Sequence, residues 1–322
     1  MENEDMHFRH VIFHCFIKDI TPEHTAQEIC DVYGEGSITV QIVQDWFRKF
    51  KTDDFNLEVD PMERPSAIDI EFFRAYVDEN SRSSVRDISD NLNISRIKIH
   101  DLLTKIKYTK RCEVWVPVEL TEGNLLNRMA ICNWLIERNK RKPFLEHLIT
   151  GDENWIFYGD SSGFCPKKVL LSIWWDCKGI LYYELLPQDQ EIDSEKYCTQ
   201  LQKLREAIVA KRPEMMLKND IVFHHDNARP YVSFAVRSKL LEFEWDVLPH
   251  PPYSPDLAPT NYYLLLYIRS FLHHKNCQSV SEVRNSLKEY LENRPEAFWK
   301  NGIMALPVRW KKVVEERGSY VT

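Results

Sequence analysis

The chain has 322 residues, 43% hydrophobic and 28% charged, a balance expected of a soluble globular protein with room for two or three domains. A net charge of −7 and a pI near 5.9 do not advertise nucleic-acid binding, so any DNA contact must rest on local basic patches. No stretch is long and apolar enough to span a bilayer, and the acidic start Met1-Glu2-Asn3-Glu4-Asp5 is wrong for a signal peptide. The eight cysteines are scattered and none forms a C-x-x-C pair, which argues against a zinc site or disulfide framework and for a reducing compartment.

The first third reads as two small helical units. Phe8, Val11, Ile12, Cys15 and Phe16 fall at helical spacing, as do Ala26, Ile29, Cys30 and Tyr33, with Thr21-Pro22 a good helix start. After Gly34 and Gly36 a third helix is predicted over about residues 39–50, with Val40, Val43, Phe47 and Phe50 on one face and Gln41, Gln44, Arg48 and Lys49 on the other. Three short helices with a glycine-containing turn make a helix-turn-helix candidate. The stretch 52–66 is polar, carries Pro61 and Pro65, and reads as a linker. A second trio follows. Ile70, Phe73 and Val77 mark one helix; Ser84 caps the next, with Val85, Ile88 and Leu92. Ser95 caps a third, where Ile99, Leu102, Leu103 and Ile106 point inward and Ser95, Arg96, Lys98, His100 and Lys105 outward. A major groove admits such a helix, and Arg or Lys can reach guanine edges or phosphates. Arg96, Lys98, Lys105, Lys107, Lys110 and Arg111 form one basic patch, and residues 138–142 form a second, readable as a solvated helix face or a weak nuclear-import signal.

The remainder alternates strands and helices. Strands are predicted over residues 148–158, 168–175 and 180–186, with Gly179 at the hairpin turn, then a helix over 195–211 and a short strand over 220–225. A helix over about 231–242, a strand over 245–248, a proline-rich loop and a helix from Pro259 complete the pattern before a mainly helical C-terminal part. A three-strand meander followed by alternating strands and helices fits a ribonuclease-H-like α/β domain preceded by two all-α helix-turn-helix units. The expected bounds are 1–52 and 67–112 for the two units, 53–66 and 113–145 for linkers, and 146–322 for the α/β domain.

In that layout Asp152 lies in the first strand, Asp226 just after the fourth, and Asn261 at the start of a later helix, so all three can converge on one edge of the sheet. Phosphodiester cleavage needs the attacking and leaving oxygens stabilised together, which two metal ions about 3.5–4 Å apart accomplish. Magnesium takes hard oxygen ligands, and carboxylates supply them. Asn261 offers one carbonyl oxygen and no charge, so it holds a second metal less tightly. The blander reading of each residue is a turn or cap, and Asp256 in Ser254-Pro255-Asp256 is assigned to a turn. His224-His225 and His273-His274 suggest metal binding, but neighbours on a strand face opposite ways, so they are read as structural or DNA-facing.

Taken together, Trp115-Val116-Pro117-Val118-Glu119-Leu120, Thr150-Gly151-Asp152-Glu153, His225-Asp226-Asn227-Ala228-Arg229-Pro230 and the run from Pro251 to Pro259 resemble the mariner-family transposases. The 34 residues between Asp226 and Asn261 match the family's spacing for its second and third acidic residues, here in a DD34N form, and Pro307-Val308-Arg309-Trp310 extends the likeness to the C-terminal end. The resemblance implies double-stranded DNA as partner, namely transposon terminal inverted repeats and a TA target. It also implies a homodimer, a nuclear location, and a catalytic domain using Mg²⁺, with Mn²⁺ able to substitute. It assigns Asp152, Asp226 and Asn261 to the catalytic, metal-holding positions, where active members have Asp at the third. No SET domain fits in this chain, so the methyltransferase activity of a fused relative is not expected. Three departures stand out. The stretch between Tyr158 and Lys167 is shorter than the loop that clamps the partner subunit in relatives, which weakens the expected dimer. The minor-groove linker motif survives only as Arg64-Pro65, with Glu63 in place of glycine, and Val118 stands in place of a histidine. The rival expectations are a DNA-binding protein without catalysis and a structure-selective repair nuclease.

Overall fold

Thr21 and Thr39 start two of the first three helices, each accepting a hydrogen bond on its side-chain oxygen from an amide of the first turn. The computed structural model describes residues 2–34, 37–52, 55, 57, 69–159, 167–188, 190, 192–218 and 220–321, and these fall into two units, Met1–Asp69 and Ile70–Thr322. The first unit holds α1 (Glu2–Ile17), α2 (Pro22–Tyr33) and α3 (Val40–Phe50). Ile12, Cys15, Ala26, Ile29, Ile38, Val43, Phe47 and Phe50 make its core, tightened by the Phe16 ring at 5.2 Å from Phe47 and 5.3 Å from Phe50. The expected inward position of Val40 is wrong. It is 40% exposed, because it is the first helical residue and Ile38, still in the loop, fills the core instead.

The second unit opens with α4 (Ile70–Glu79), α5 (Val85–Leu92) and α6 (Arg96–Lys105). Ser84 and Asp87 form a reciprocal capping box at the start of α5, and Ser95 caps α6. Phe73, Val77, Ile88, Ile99, Leu102, Leu103 and Ile106 are all buried, as their spacing predicts. A hairpin follows, β1 (Tyr108–Arg111) and β2 (Val114–Pro117), joined by Cys112 and Glu113, both at positive φ as a tight two-residue hairpin turn requires. The next helix is α7 (Glu122–Arg141). The span 113–145, expected to be a connection between domains, therefore carries a strand and a 20-residue helix.

The α/β portion runs β3 (Leu148–Tyr158), β4 (Lys167–Asp176), β5 (Gly179–Leu186), α8 (Ser194–Lys211), α9 (Pro213–Lys218), β6 (Val222–His224), α10 (Phe234–Glu242) and β7 (Asp246–Val247). It ends with α11 (Leu265–Lys275), α12 (Val280–Glu292), α13 (Glu296–Met304) and α14 (Leu306–Glu315). The sheet order is β5-β4-β3-β6-β7. The first three strands are antiparallel; β6 pairs parallel to β3 and β7 parallel to β6, the crossovers running through α8 and α9 before β6 and through α10 before β7. One sheet face packs on α7 and the C-terminal helices, and the other on α8 and α10. Alternation along β3 sends Leu148, Thr150, Asp152 and Ile156 to the first face and Ile149, Gly151 and Glu153 to the second. Gly151 is obligatory there, since a Cβ would collide with the Trp174 indole.

Arg128 of α7 is fully buried. Its Nη1 and Nη2 reach Asp256 at 2.9 and 2.7 Å, while Nε donates to the Gly318 carbonyl at 2.7 Å and Nη1 also to Ser254 at 2.6 Å. Asp256 thus sits in the expected turn, yet also neutralises a buried cation and accepts the Val321 amide at 2.8 Å. Removing one partner of a buried pair leaves an uncompensated charge. Asp256→Ala is expected to lower unfolding stability by about 3–5 kcal/mol in denaturant titration, and a double Arg128→Met, Asp256→Leu variant to recover much of it. A loss under about 1 kcal/mol in the single variant would show that the pair does not anchor the C-terminal segment.

Candidate metal and phosphodiester site

Asp152 stands in the middle of β3, on the face that packs against the C-terminal helices, and is 3% exposed. Asp226 lies two residues beyond β6, on the same side as His224. Its Oδ1 accepts the Ala228 amide at 2.9 Å, a local turn that explains why Asp-Asn-Ala follows the strand directly. Asn261 falls in a π-helical turn, Thr260–Leu264, just ahead of α11. That turn is pinned by Trp175 Nε1 donating to Thr260 at 3.0 Å. π-turns often mark functional positions because they re-aim a side chain. Asn261 is 2% exposed, and its Nδ2 donates to Asp152 Oδ2. The three positions singled out in the sequence do converge.

The centre of the cluster was not foreseen. The Arg82 guanidinium donates to Asp152 Oδ1 and, at 2.7 Å, to Asp226 Oδ2, bridging the two carboxylates. Its Asn80-Ser81-Arg82-Ser83-Ser84 segment reads in sequence only as a polar turn, and nothing in its spacing flags the arginine. Arg128 did leave a signal, since it shares the spacing of Cys132 and Leu135 on the buried stripe of α7. His250 was also missed. Its Nδ1 lies 3.0 Å from His224 Nε2, and its carbonyl accepts Asn227 Nδ2 at 2.7 Å.

Burial raises the Asp152 carboxyl above its ordinary value, with Arg82 pulling the other way. At Asp226 burial also pushes upward, but Arg82, the Ala228 amide and His250 outweigh it and leave the group at about 2, firmly ionised. Burial would lower the Arg82 pKa, yet the two carboxylates overcome it and keep the guanidinium charged. Glu153 points to the opposite sheet face. Burial and the nearby Asp152 hold its carboxyl well above the usual range, and neither of its oxygens has a hydrogen-bond partner.

These donors suit a divalent cation. Two carboxylates face each other, and the buried Asn261 Oδ1 has no hydrogen-bond partner. Among the described residues no three His, Cys, Asp or Glu side chains are placed to cage a metal, so Asn261 or water has to complete the set. His224 and His225 do face opposite ways, toward Thr150 and Tyr197 respectively, and are buried. His273 and His274 are exposed on α11.

The expected DNA-facing residues lie on helix surfaces. In the first unit Gln44 donates to Glu23 at 3.1 Å, Arg48 pairs with Asp45 at 3.0 Å, and the Lys49 ammonium lies 5.1 Å from the Trp46 ring centroid. In the second unit Ser95, Arg96, His100 and Lys105 are exposed on α6, Lys98 is half-buried, and Ile97 between them is 79% exposed. Arg64 and Glu63 lie outside the described residues, as does most of the shortened stretch after Tyr158. The second basic patch is an ion-paired helix end: Arg138 meets Asp246, Lys140 meets Glu137 at 2.8 Å, and Lys142 meets Asp220 at 3.1 Å.

A mixed five-stranded sheet with one carboxylate on its first strand and another just beyond its fourth, following two helical trios in the chain, defines a ribonuclease-H-like domain of the DDE/D transposase type. A family profile described as "HTH domain in Mos1 transposase" matches residues 5–54, and another, "Transposase (partial DDE domain)", matches residues 161–218. The mariner Mos1 transposase of Drosophila mauritiana is 32% identical over 97% of this chain and 96% of its own length. The human histone-lysine N-methyltransferase SETMAR is 33% identical over 92% of the chain, which spans 46% of that protein. A solved paired-end complex of mariner Mos1 with Mg is 31% identical, covers 98% of each chain and superposes with a TM-score of 0.58. The chain belongs to the mariner transposase family.

Burial lowers His225 and His250 to about 4, whereas an unfolded histidine titrates near 6.5. Between those values the unfolded chain binds protons that the folded chain refuses, so these groups contribute stability at neutral pH that is lost as pH falls from about 6.5 to about 4. Glu153, displaced upward, works in the opposite sense over part of that range. The histidine contribution is therefore read by difference. The melting temperature of His250→Asn should fall less than that of the parent between pH 7 and 4.5, and parallel curves would show that His250 is not held neutral.

Proposed function

We propose that the chain acts on transposon ends, binding terminal inverted repeats through its two helical trios and holding a divalent metal at Asp152 and Asp226. The observation that carries this reading is the meeting of those two carboxylates, from strands far apart in sequence, around one cationic group. Membership of the mariner family and the likeness to a Mg-containing paired-end complex support it.

Asp226, ionised and fixed by the Ala228 amide, and Asp152, fixed by the Glu153 amide at 2.7 Å, are the residues that would hold magnesium, or manganese in its place. Such metal, when bound, stabilises the attacking and leaving oxygens of a phosphodiester displacement. Asn261 contributes a single neutral oxygen, Oδ1, which has no hydrogen-bond partner while Nδ2 donates to Asp152. The exposed face of α6 supplies phosphate and base-edge contacts through Arg96, Lys98, His100 and Lys105. A homodimer, a nuclear location and a TA target complete the proposal.

Asn261→Asp is expected to raise manganese-dependent nicking of inverted-repeat duplexes by at least about tenfold, equivalent to about 1.4 kcal/mol of transition-state stabilisation. Nicking by neither protein would favour a second reading, a DNA-binding protein without catalysis, which the uncharged third position and the arginine between the carboxylates support. Charge reversal at Arg96 or Lys98 is expected to weaken duplex binding across sequences and reduce the slope of log affinity against log salt by about one per site. An unchanged slope in a fluorescence-anisotropy titration would remove α6 from the interface.

A further inference from the structure

Building on the metal-binding reading, we infer that Arg82 competes with the divalent cation for the Asp152–Asp226 pair, making the turn between α4 and α5 an internal stopper on the site. All four carboxylate oxygens already have donors. Asp152 Oδ1 takes Arg82 and the Glu153 amide, and Oδ2 takes Asn261 Nδ2. Asp226 Oδ2 takes Arg82, and Oδ1 takes the Ala228 amide. A cation entering between the two groups needs the lone pairs that Arg82 occupies, and it repels the guanidinium. The two positive charges exclude each other.

Arg82 is not a loose surface side chain. It is 16% exposed, and its turn is fastened on both sides. The Ser81 carbonyl accepts the Trp115 amide at 2.8 Å, and the Ser83 carbonyl accepts Trp115 Nε1 at 2.9 Å. Asp87, which closes the α5 cap, also pairs with Lys168 of β4, whose ammonium rests 4.3 Å from the Trp155 ring centroid. Asp78 at the end of α4 accepts from Tyr253 at 3.0 Å and from Tyr108 at 2.7 Å. These contacts hold the second trio against the sheet while leaving a cavity of about 890 Å³, lined by Arg82, Glu153, Trp155, Asp226, Tyr253 and Asn261 among others. Withdrawing one side chain from the carboxylates opens the metal position into that space without unfolding the trio.

A purely structural arginine predicts something different: its loss costs stability and gains no metal affinity. The test is Mn²⁺ binding to the full chain by isothermal titration, with melting temperatures measured with and without Mn²⁺. Arg82→Gln should bind Mn²⁺ at least about tenfold more tightly than the parent, melt lower without metal, and gain more on metal addition. Arg82→Lys, which keeps a charge, should stay closer to the parent. Equal affinity in the parent and Arg82→Gln, with binding lost in Asp226→Ala, would overturn the stopper and leave the metal site standing. No Mn²⁺ binding by any of these proteins would overturn both.

Discussion

Two carboxylates brought together with little water around them need either a shared proton or a positive charge between them. Bringing Asp152 and Asp226 together at the edge of β3 and β6 creates that demand, and the surrounding architecture answers it. The demand follows from topology. Pairing β3 parallel to β6 aligns Thr150 with His224, so the residue two further along each strand lands on the same face, and both residues are acidic. The polar side chains around them serve to keep that arrangement fixed. Thr150 meets His224 at 3.0 Å, His224 meets His250, and His250 secures the loop that follows Asp226 through Asn227.

Two arginines perform parallel tasks at different depths. Arg128 neutralises Asp256 and gathers α7, the Ser254–Leu257 turn and the C-terminal residues 318–321 into one packed region, close in sequence to the π-turn carrying Asn261. Arg82 bridges Asp152 and Asp226 and ties the second helical trio to the sheet. Arg128 and Asp256 are both buried and hold further partners in Gly318, Ser254 and Val321, which makes the pair a structural fastening. Arg82 is partly accessible and faces a cavity, so its contact can be exchanged for another cation at modest structural cost.

Much of this was legible in the chain. Strand β3 was expected over the residues it occupies, and the Ser84 and Ser95 caps and the inward set Ile99, Leu102, Leu103 and Ile106 lie where periodicity places them. These are local properties, set by alternation, helical repeat and capping chemistry within a few residues. Asp152, Asp226 and Asn261 were legible because each is embedded in a long run with recognisable local constraints. Arg82 was not, because its role depends on a tertiary approach between a serine-rich turn and the central strand β3, and no local pattern encodes that approach. Val40 was misjudged for a related reason, since helical spacing cannot tell whether the first turn is covered or whether the preceding Ile38 takes the core position.

The uncharged residue at 261 acquires a physical meaning from its neighbours. Asn261 Nδ2 donates to Asp152 Oδ2, an interaction that a carboxylate there could not make. With aspartate at 261, three carboxylates would crowd one buried site and a single guanidinium would leave two negative charges unbalanced. With asparagine, Asp152 and Asp226 face Arg82 with one charge left over, and the amide stabilises that state further through its hydrogen bond. Asn261 and Arg82 therefore act in the same direction, each placing a donor on the carboxylate oxygens. Both put hydrogen-bond donors of the chain itself on the Asp152 and Asp226 carboxylates, so this part of the domain is held together by its own side chains.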